Sequence, residues 1–297
     1  MAITRVTQQM ISQRSLNAVM GGLSSMAKYQ EQLETGKKIT RPSDDAAGTN
    51  TALRVRTALA EQNQYSRNAS DGQSWLSTID STLSGVVTQL QRANVLALEG
   101  ANDGAMSQSA AEALATEVDQ IRASILQQAN TDYLGRPVFG GTTSGSLAFD
   151  TTTGNYVGDG GSVTRRVGSG VSVRVDSDGT AVFGADGDNV FSHLNDLSAA
   201  LKSGSNADIQ SSIAAVQADI TRISSAQADE GARMNRLQQA SDLASQAQLR
   251  LKTSLSDVED VNLAEATINV QQAEVAYQAA LAATGKTIQP SLLDFLR

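Results

Sequence analysis

Between residues 209 and 258 one series of positions recurs without a break. Positions 209, 213, 216, 220, 223, 227, 230, 234, 237, 241, 244, 248, 251, 255 and 258 alternate in steps of four and three. Eleven of these 15 are apolar: Ile209, Ile213, Val216, Ile220, Ile223, Met234, Leu237, Ala244, Leu251, Leu255 and Val258. The exceptions are Gln227, Glu230, Ser241 and Gln248. Steps of three and four return a side chain to the same face of a helix with 3.6 residues per turn. The spacing therefore predicts one helix of about 50 residues, ~75 Å long. That is far above the usual ~11–12 residues. A helix of this length serves assembly better than it serves a concave active site.

Other segments carry the same rhythm. Leu16, Val19, Leu23, Met26 and Leu33 form an N-terminal seam that also contains Gln30. A second seam is Leu76, Ile79, Leu83, Val86, Leu90, Ala93 and Ala97; a third is Ala111, Leu114, Val118, Ile121 and Ile125. Each predicts an apolar stripe of the coiled-coil or bundle type. Gly100 and Gly104, with Asn102 and Asp103, separate the second from the third. Beyond Val261 the long seam loses phase, and Ile268, Val275 and Ala282 begin a new stripe in steps of seven. The phase loss predicts a bend or a change of partner.

The middle of the chain differs. Residues 137–190 hold 12 of the 24 glycines, with many Thr, Ser and Asp. Leu147–Phe149, Val171–Val175 and Thr180–Phe183 alternate like short strands, and Asp178-Gly179 and Asp186-Gly187 read as turns. An insert of this size is near the lower limit for an independent core, so support from the flanking helices is expected. A short helix is expected around Phe191–Leu201. The fold class is thus mainly α with a small β-rich insert, a long coiled-coil or helical-bundle rod being formed by the N- and C-terminal segments. The expected division is 1–40 with 262–297, 41–136 with 190–261, and 137–189 as the β-rich outer part.

Composition narrows the chemistry. There is no Cys, which excludes thiolate nucleophiles and disulfide scaffolds, and only one His, His193. Lys plus Arg number 23 against 31 Asp plus Glu, a net charge of −8, which is a poor balance for binding nucleic acid. Aromatic residues are 4% of the chain, so burial is expected in narrow helical stripes. Nothing reads as a cleaved signal peptide or a membrane span. The insert has no His, Cys, Glu or Lys, which makes it a poor host for catalysis. Asp176-Ser-Asp-Gly179 and Asp186-Gly-Asp188 lack the spacing of a calcium loop and read as hairpin turns. In Arg41-Pro-Ser-Asp-Asp45, Pro42 is expected to stop one helix, Ser43 or Asp44 to cap the next, and Asp45 to sit at its positive end. No cofactor, metal or catalytic residue is expected.

Three stretches resemble the bacterial flagellin family: Glu31–Gly48, with Thr35-Gly-Lys37 and Pro42-Ser-Asp-Asp45; Asp257–Ile268, with Asn262-Leu-Ala-Glu-Ala266; and Ser291-Leu-Leu-Asp-Phe-Leu-Arg297. Thr35-Gly36-Lys37, Arg41-Pro42-Ser43, the opening Ile3–Met10 and Gly135–Gly140 are most similar to the branch of the family that joins hook to filament. Ala46-Ala47 follows the filament-flagellin form instead. The resemblance implies a structural, non-enzymatic subunit of the flagellum, secreted through the flagellar type III apparatus without a cleaved signal. It further implies self-assembly into a ring or tube between a neighbouring hook-associated protein and flagellin. A cytoplasmic export chaperone on the C-terminal helix is also implied. The subunit contacts would then involve Leu16, Leu23, Arg41, Asp44, Asp45, Ile268, Val275, Leu292, Leu293 and Leu296. Filament flagellin is the alternative, and a secreted coiled-coil protein with a β recognition domain is the remote one.

Overall fold

The computed structural model describes residues 2–102 and 107–288. Three helices come first: α1 (Ala2–Thr35), α2 (Ala46–Asn102) and α3 (Gln108–Ala129). Two hairpins follow, β1 (Asp132–Tyr133) with β2 (Arg136–Pro137), and β3 (Thr164–Gly168) with β4 (Val171–Arg174). Then come a short helix α4 (Gly179–Phe183), a hairpin of β5 (Gly184–Ala185) and β6 (Asp188–Asn189), and helices α5 (Val190–Ser203), α6 (Asn206–Glu259) and α7 (Leu263–Ile288). No described helix is long and apolar enough to cross a membrane.

The long seam is one helix, α6, of 54 residues. All 15 of its seam positions are buried or half-buried, the polar ones included. The phase loss expected beyond Val261 coincides with a true break: α6 ends at Glu259, and α7, from Leu263, turns to a different partner, α1.

The chain divides into two compact units. One runs from Glu61 to Ala247; the other holds the chain up to Ala60 and from Gln248 onward. In the first, Leu76, Ile79, Leu83, Val86, Leu90, Ala93 and Ala97 are all fully buried, as are Val118 and Ile125 of α3. They share one core with Leu194 and Leu197 of α5, Ile209, Val216, Ile223 and Leu237 of α6, and the insert. Four of the five phenylalanines meet at the insert: Phe139, Phe149, Phe183 and Phe191, with ring centroids 5.1–5.8 Å apart. The few aromatics are thus concentrated where an apolar side chain buries most area per residue.

Asn130 fixes the start of the insert to the end of α3. Its carbonyl oxygen accepts from the Ala148 and Phe149 amides at 2.8 Å, and its amide donates to Phe149 O at 2.9 Å. The turn of the first hairpin needs positive φ at Leu134 (53°) and Gly135 (78°), the second of which glycine takes without strain.

Two of the three expected strands do not form: Leu147–Phe149 makes only an isolated bridge between Phe149 and Tyr156, and Thr180–Phe183 is helical. Thr180–Phe183 forms most of α4, because the Asp178 carboxylate accepts from the Thr180 amide at 3.0 Å and caps a helical turn that buries Val182 and Phe183. Four alternating residues do not separate a strand from one helical turn. Val171–Val175 does supply a strand, and Asp186-Gly187 does form the β5–β6 turn.

Candidate assembly interface

Within the unit that holds both ends of the chain, α1 packs along α7. The contact face of α1 is Val19, Gly22, Met26, Tyr29 and Gln32; that of α7 is Ala266, Val270, Ala273, Tyr277 and Ala280. Both sets keep the steps of three and four of a coiled coil. The α7 side is built largely of alanine, and Tyr277 lies over Gly22, where an added Cβ would meet it at 3.5 Å. The seam is close and thin.

This rotates both helices from the expected phase. Val19 and Met26 do face the partner, but Leu16 (59% exposed), Leu23 (41%), Gln30 and Leu33 do not. Ile268 (53%) and Val275 (66%) also lie on the outer face of α7, and Ala282 is exposed. The leucines were expected at the seam; instead medium and large side chains of α1 (Val19, Met26, Tyr29) meet an α7 face in which Ala266, Ala273 and Ala280 alternate with Val270 and Tyr277. Each helix therefore carries a second, outward stripe: Leu16, Met20 and Leu23 on α1, and Ile268 and Val275 on α7. Val275, Ala276 and Ala279, with Gln271 and Gln272, line a shallow apolar groove of about 360 Å³. Leu292, Leu293 and Leu296 lie outside the described residues.

The helix ends are tied by a polar node. Gly36 (φ 67°) ends α1, a conformation that favours glycine. The backbones of Lys37 and Asp260 then pair in an isolated antiparallel bridge, Lys38 N donates to Glu259 O at 2.6 Å, and Val261 N donates to Gly36 O at 2.9 Å. The nearly buried Glu259 carboxylate accepts from Lys37 Nζ at 3.0 Å and from Arg56 Nη2 at 2.8 Å. Burial pushes this carboxyl upward, but the hydrogen bonds and charges of Lys37 and Arg56 outweigh burial and hold it below its ordinary value. Nothing in the heptad count marks Glu259; the signal was one acidic side chain at the point where two seams change phase.

The Arg41–Asp45 step differs from expectation in detail. Gly36, not Pro42, ends α1. Asp45 caps α2 by accepting from Gly48 N at 2.8 Å, while Asp44 turns back to accept from Arg41 N at 2.9 Å and from the Thr40 hydroxyl at 3.1 Å. The Arg41 amide, ahead of the opposing cost of burial, keeps the Asp44 carboxyl below its usual range, and Lys28 lies 3.5 Å away. Ser43 caps neither helix. Arg41 reaches Glu31 at 3.1 Å on the surface.

Over its full length α1 holds Arg5, Arg14 and Lys28 with Glu31 and Glu34 in its last turns, and α7 holds Glu265 and Glu274 with Lys286 near its end, so neither helix carries more than one net charge. In the other unit, the carboxylates of the suspected turns have protein partners. Asp176 accepts from Val163 N at 2.7 Å and from Arg174, Asp186 accepts from Tyr156 N at 2.8 Å, and Asp188 meets His193 at 2.9 Å. The second ring nitrogen of His193 meets Asp219 at 2.8 Å. These groups hold loops and helices in place.

Two family profiles span most of the chain. The bacterial flagellin N-terminal helical region matches residues 6–144, and the bacterial flagellin C-terminal helical region matches residues 213–296. The chain belongs to the bacterial flagellin family. Within it, the chain is similar to flagellar hook-associated protein 3 of Salmonella typhimurium, 29% identical with 95% of each chain covered. It is also similar to a flagellin of Bacillus subtilis, 26% identical over 99% of this chain and 100% of the other. A solved flagellar hook-associated protein from Vibrio parahaemolyticus has the same fold, with a TM-score of 0.68 at 24% identity over 73% of this chain and all of that one. Both family profiles include residues of the α1–α7 pair; residues 145–212, which hold most of the insert, α5 and the start of α6, fall between them.

Proposed function

We propose that this flagellin-family chain is a structural subunit of the bacterial flagellum that joins the hook to the filament. The single observation that carries the junction reading is the full-length similarity to a hook-associated protein 3. It agrees with the Thr35-Gly-Lys37 and Arg41-Pro-Ser43 stretches. Filament flagellin remains the second reading, favoured by Ala46-Ala47 and by full-length similarity to a flagellin.

The mechanism is packing. The thin α1–α7 seam leaves Leu16, Met20, Leu23, Ile268 and Val275 facing outward. Another copy of the chain covers these stripes. Contacts between unlike faces of identical subunits build rings and tubes. Arg41 and Asp44 sit at the subunit border, and Asp45 holds the start of α2 beside it. The same outward stripe on α7 suits a helix-in-groove export chaperone before assembly. The subunit would leave the cell without a cleaved signal and lie between a hook-associated neighbour and flagellin.

Deleting the gene tests the reading. The junction role predicts cells with hooks, no attached filaments, and flagellin released into the medium. Normal filaments would overturn it. Loss of filament protein from both cells and medium would favour the filament reading.

A further inference from the structure

Glu230 interrupts the apolar seam of α6 and is only 2% exposed. It faces the insert segment from Arg174 to Phe183. Its Oε1 accepts from the Ser177 hydroxyl, while its Oε2 has no hydrogen-bond partner among the described residues. Arg233, one turn away, comes no closer than 3.9 Å to Oε1, and its Nη1 donates instead to Asp176 O at 3.0 Å. Behind Ser177 stands a second, fully buried carboxylate, Asp176, held by Arg174 at 2.9 Å. A cleft of about 490 Å³ opens beside the pair.

The charged groups around Glu230 come from three elements. The insert supplies Arg174, Asp176 and Asp178; α6 supplies Arg222, Asp229 and Arg233; α2 supplies Asp80. The cations nearest the carboxyl are already committed: Arg174 to Asp176, Arg222 to Asp219 and Arg233 to a backbone carbonyl. An ionised Glu230 is therefore a buried charge with one bare oxygen, which is costly; the neutral acid is tolerated.

We propose that Glu230 is a proton-operated latch between α6 and the insert: protonated, it stays in the seam and holds Ser177; ionised, it frees the 174–183 segment both from α6 and from its backbone pairing with residues 138, 139 and 163. Geometry and charge agree in direction. Burial raises the carboxyl to about 7, Asp176 and Asp80 push the same way, and Arg233 and Arg174 push back only in part. A carboxyl with a raised folded-state value favours the closed form most fully below its open-state value of about 4.5, and that preference is lost as pH rises through 7. The latch is thus closed in acid and loosened at neutral pH and above.

Amide hydrogen exchange on the full chain reads the latch directly. The Val175, Ser177 and Gly179 amides are bonded to Val163, Val138 and Phe139 carbonyls. Their protection, corrected for the intrinsic pH dependence of exchange, should fall roughly 30- to 100-fold between pH 5 and 8 and then level off. In E230Q the same amides should show no such fall. Unchanged protection in the wild type, or an equal fall in E230Q, overturns the proposal. If E230Q loses its far-UV helicity, S177A decides: removing the hydroxyl donor should move the fall to higher pH. A fall at unchanged pH overturns the proposal.

Discussion

The second helix and the first are written in the same rhythm, yet they do different things with it. In α2 seven successive seam residues, Leu76 to Ala97, are fully buried. In α1 the contact face is half-buried, and Leu16 and Leu23 point to solvent. The α2 seam shares a core with α3, α5, α6 and four phenylalanines. Among the described elements, α1 packs chiefly on α7 and meets mostly alanine there. Fully burying a leucine contributes about 1.5–3 kcal/mol, and a half-covered alanine face far less. A heptad pattern therefore announces a helix that needs a partner; side-chain volume decides whether the chain itself supplies enough of one.

The contrast can be broken experimentally. Leu83→Ala should cost about 2–5 kcal/mol in urea unfolding, against under about 1 kcal/mol for the half-buried Met26→Ala. Equal losses would erase the distinction. Glu259→Gln should cost about 1–3 kcal/mol, because it weakens two hydrogen bonds from charged groups, and exchange at the Lys38 and Val261 amides should rise while that of α3 does not. Arg41→Ala removes a surface pair with Glu31 and should cost no more than about 1 kcal/mol in the same denaturation series. Smallest of all should be Leu23→Asp and Val275→Asp, within about 0.5 kcal/mol of wild type in the monomer. Those two should nevertheless abolish filament attachment when they replace the native gene. Attached filaments in both strains would remove the outer stripes from the assembly surface.

The same contrast explains what could be read in advance. The seams of α2, α3 and α6 were legible to the residue because their phase is set by large side chains whose burial dominates the energy. The existence of α1 and α7 was legible too, but their rotation was not. Leu16, Leu23, Ile268 and Val275 carry the strongest apolar signal and lie outward, while Ala266 and Ala273 carry little and face the partner. A pattern of size cannot find a face built largely of alanine. Residues 180–183 were too few to tell a strand from a helical turn. Asp44 and Asp45 are adjacent acids, and only the fold shows which one turns back and which one caps. Glu230 and Glu259 looked like exceptions or bystanders in the heptad count, yet both became organising points of their regions.

The alanine seam has a further consequence for register. Ala266, Ala273 and Ala280 stand seven residues apart, so a shift of α7 by one heptad, about 10.5 Å, leaves the alanines matched and is opposed only where Val270 and Tyr277 change places over Gly22. Such a face is a ruler with few marks. The zero mark lies at the end, where Glu259 engages Lys37 and Arg56 and the 36–38 and 259–261 strands of backbone zip together. That aperiodic knot sets the axial offset of the terminal helices, and with it the height at which their outer leucines meet a neighbour.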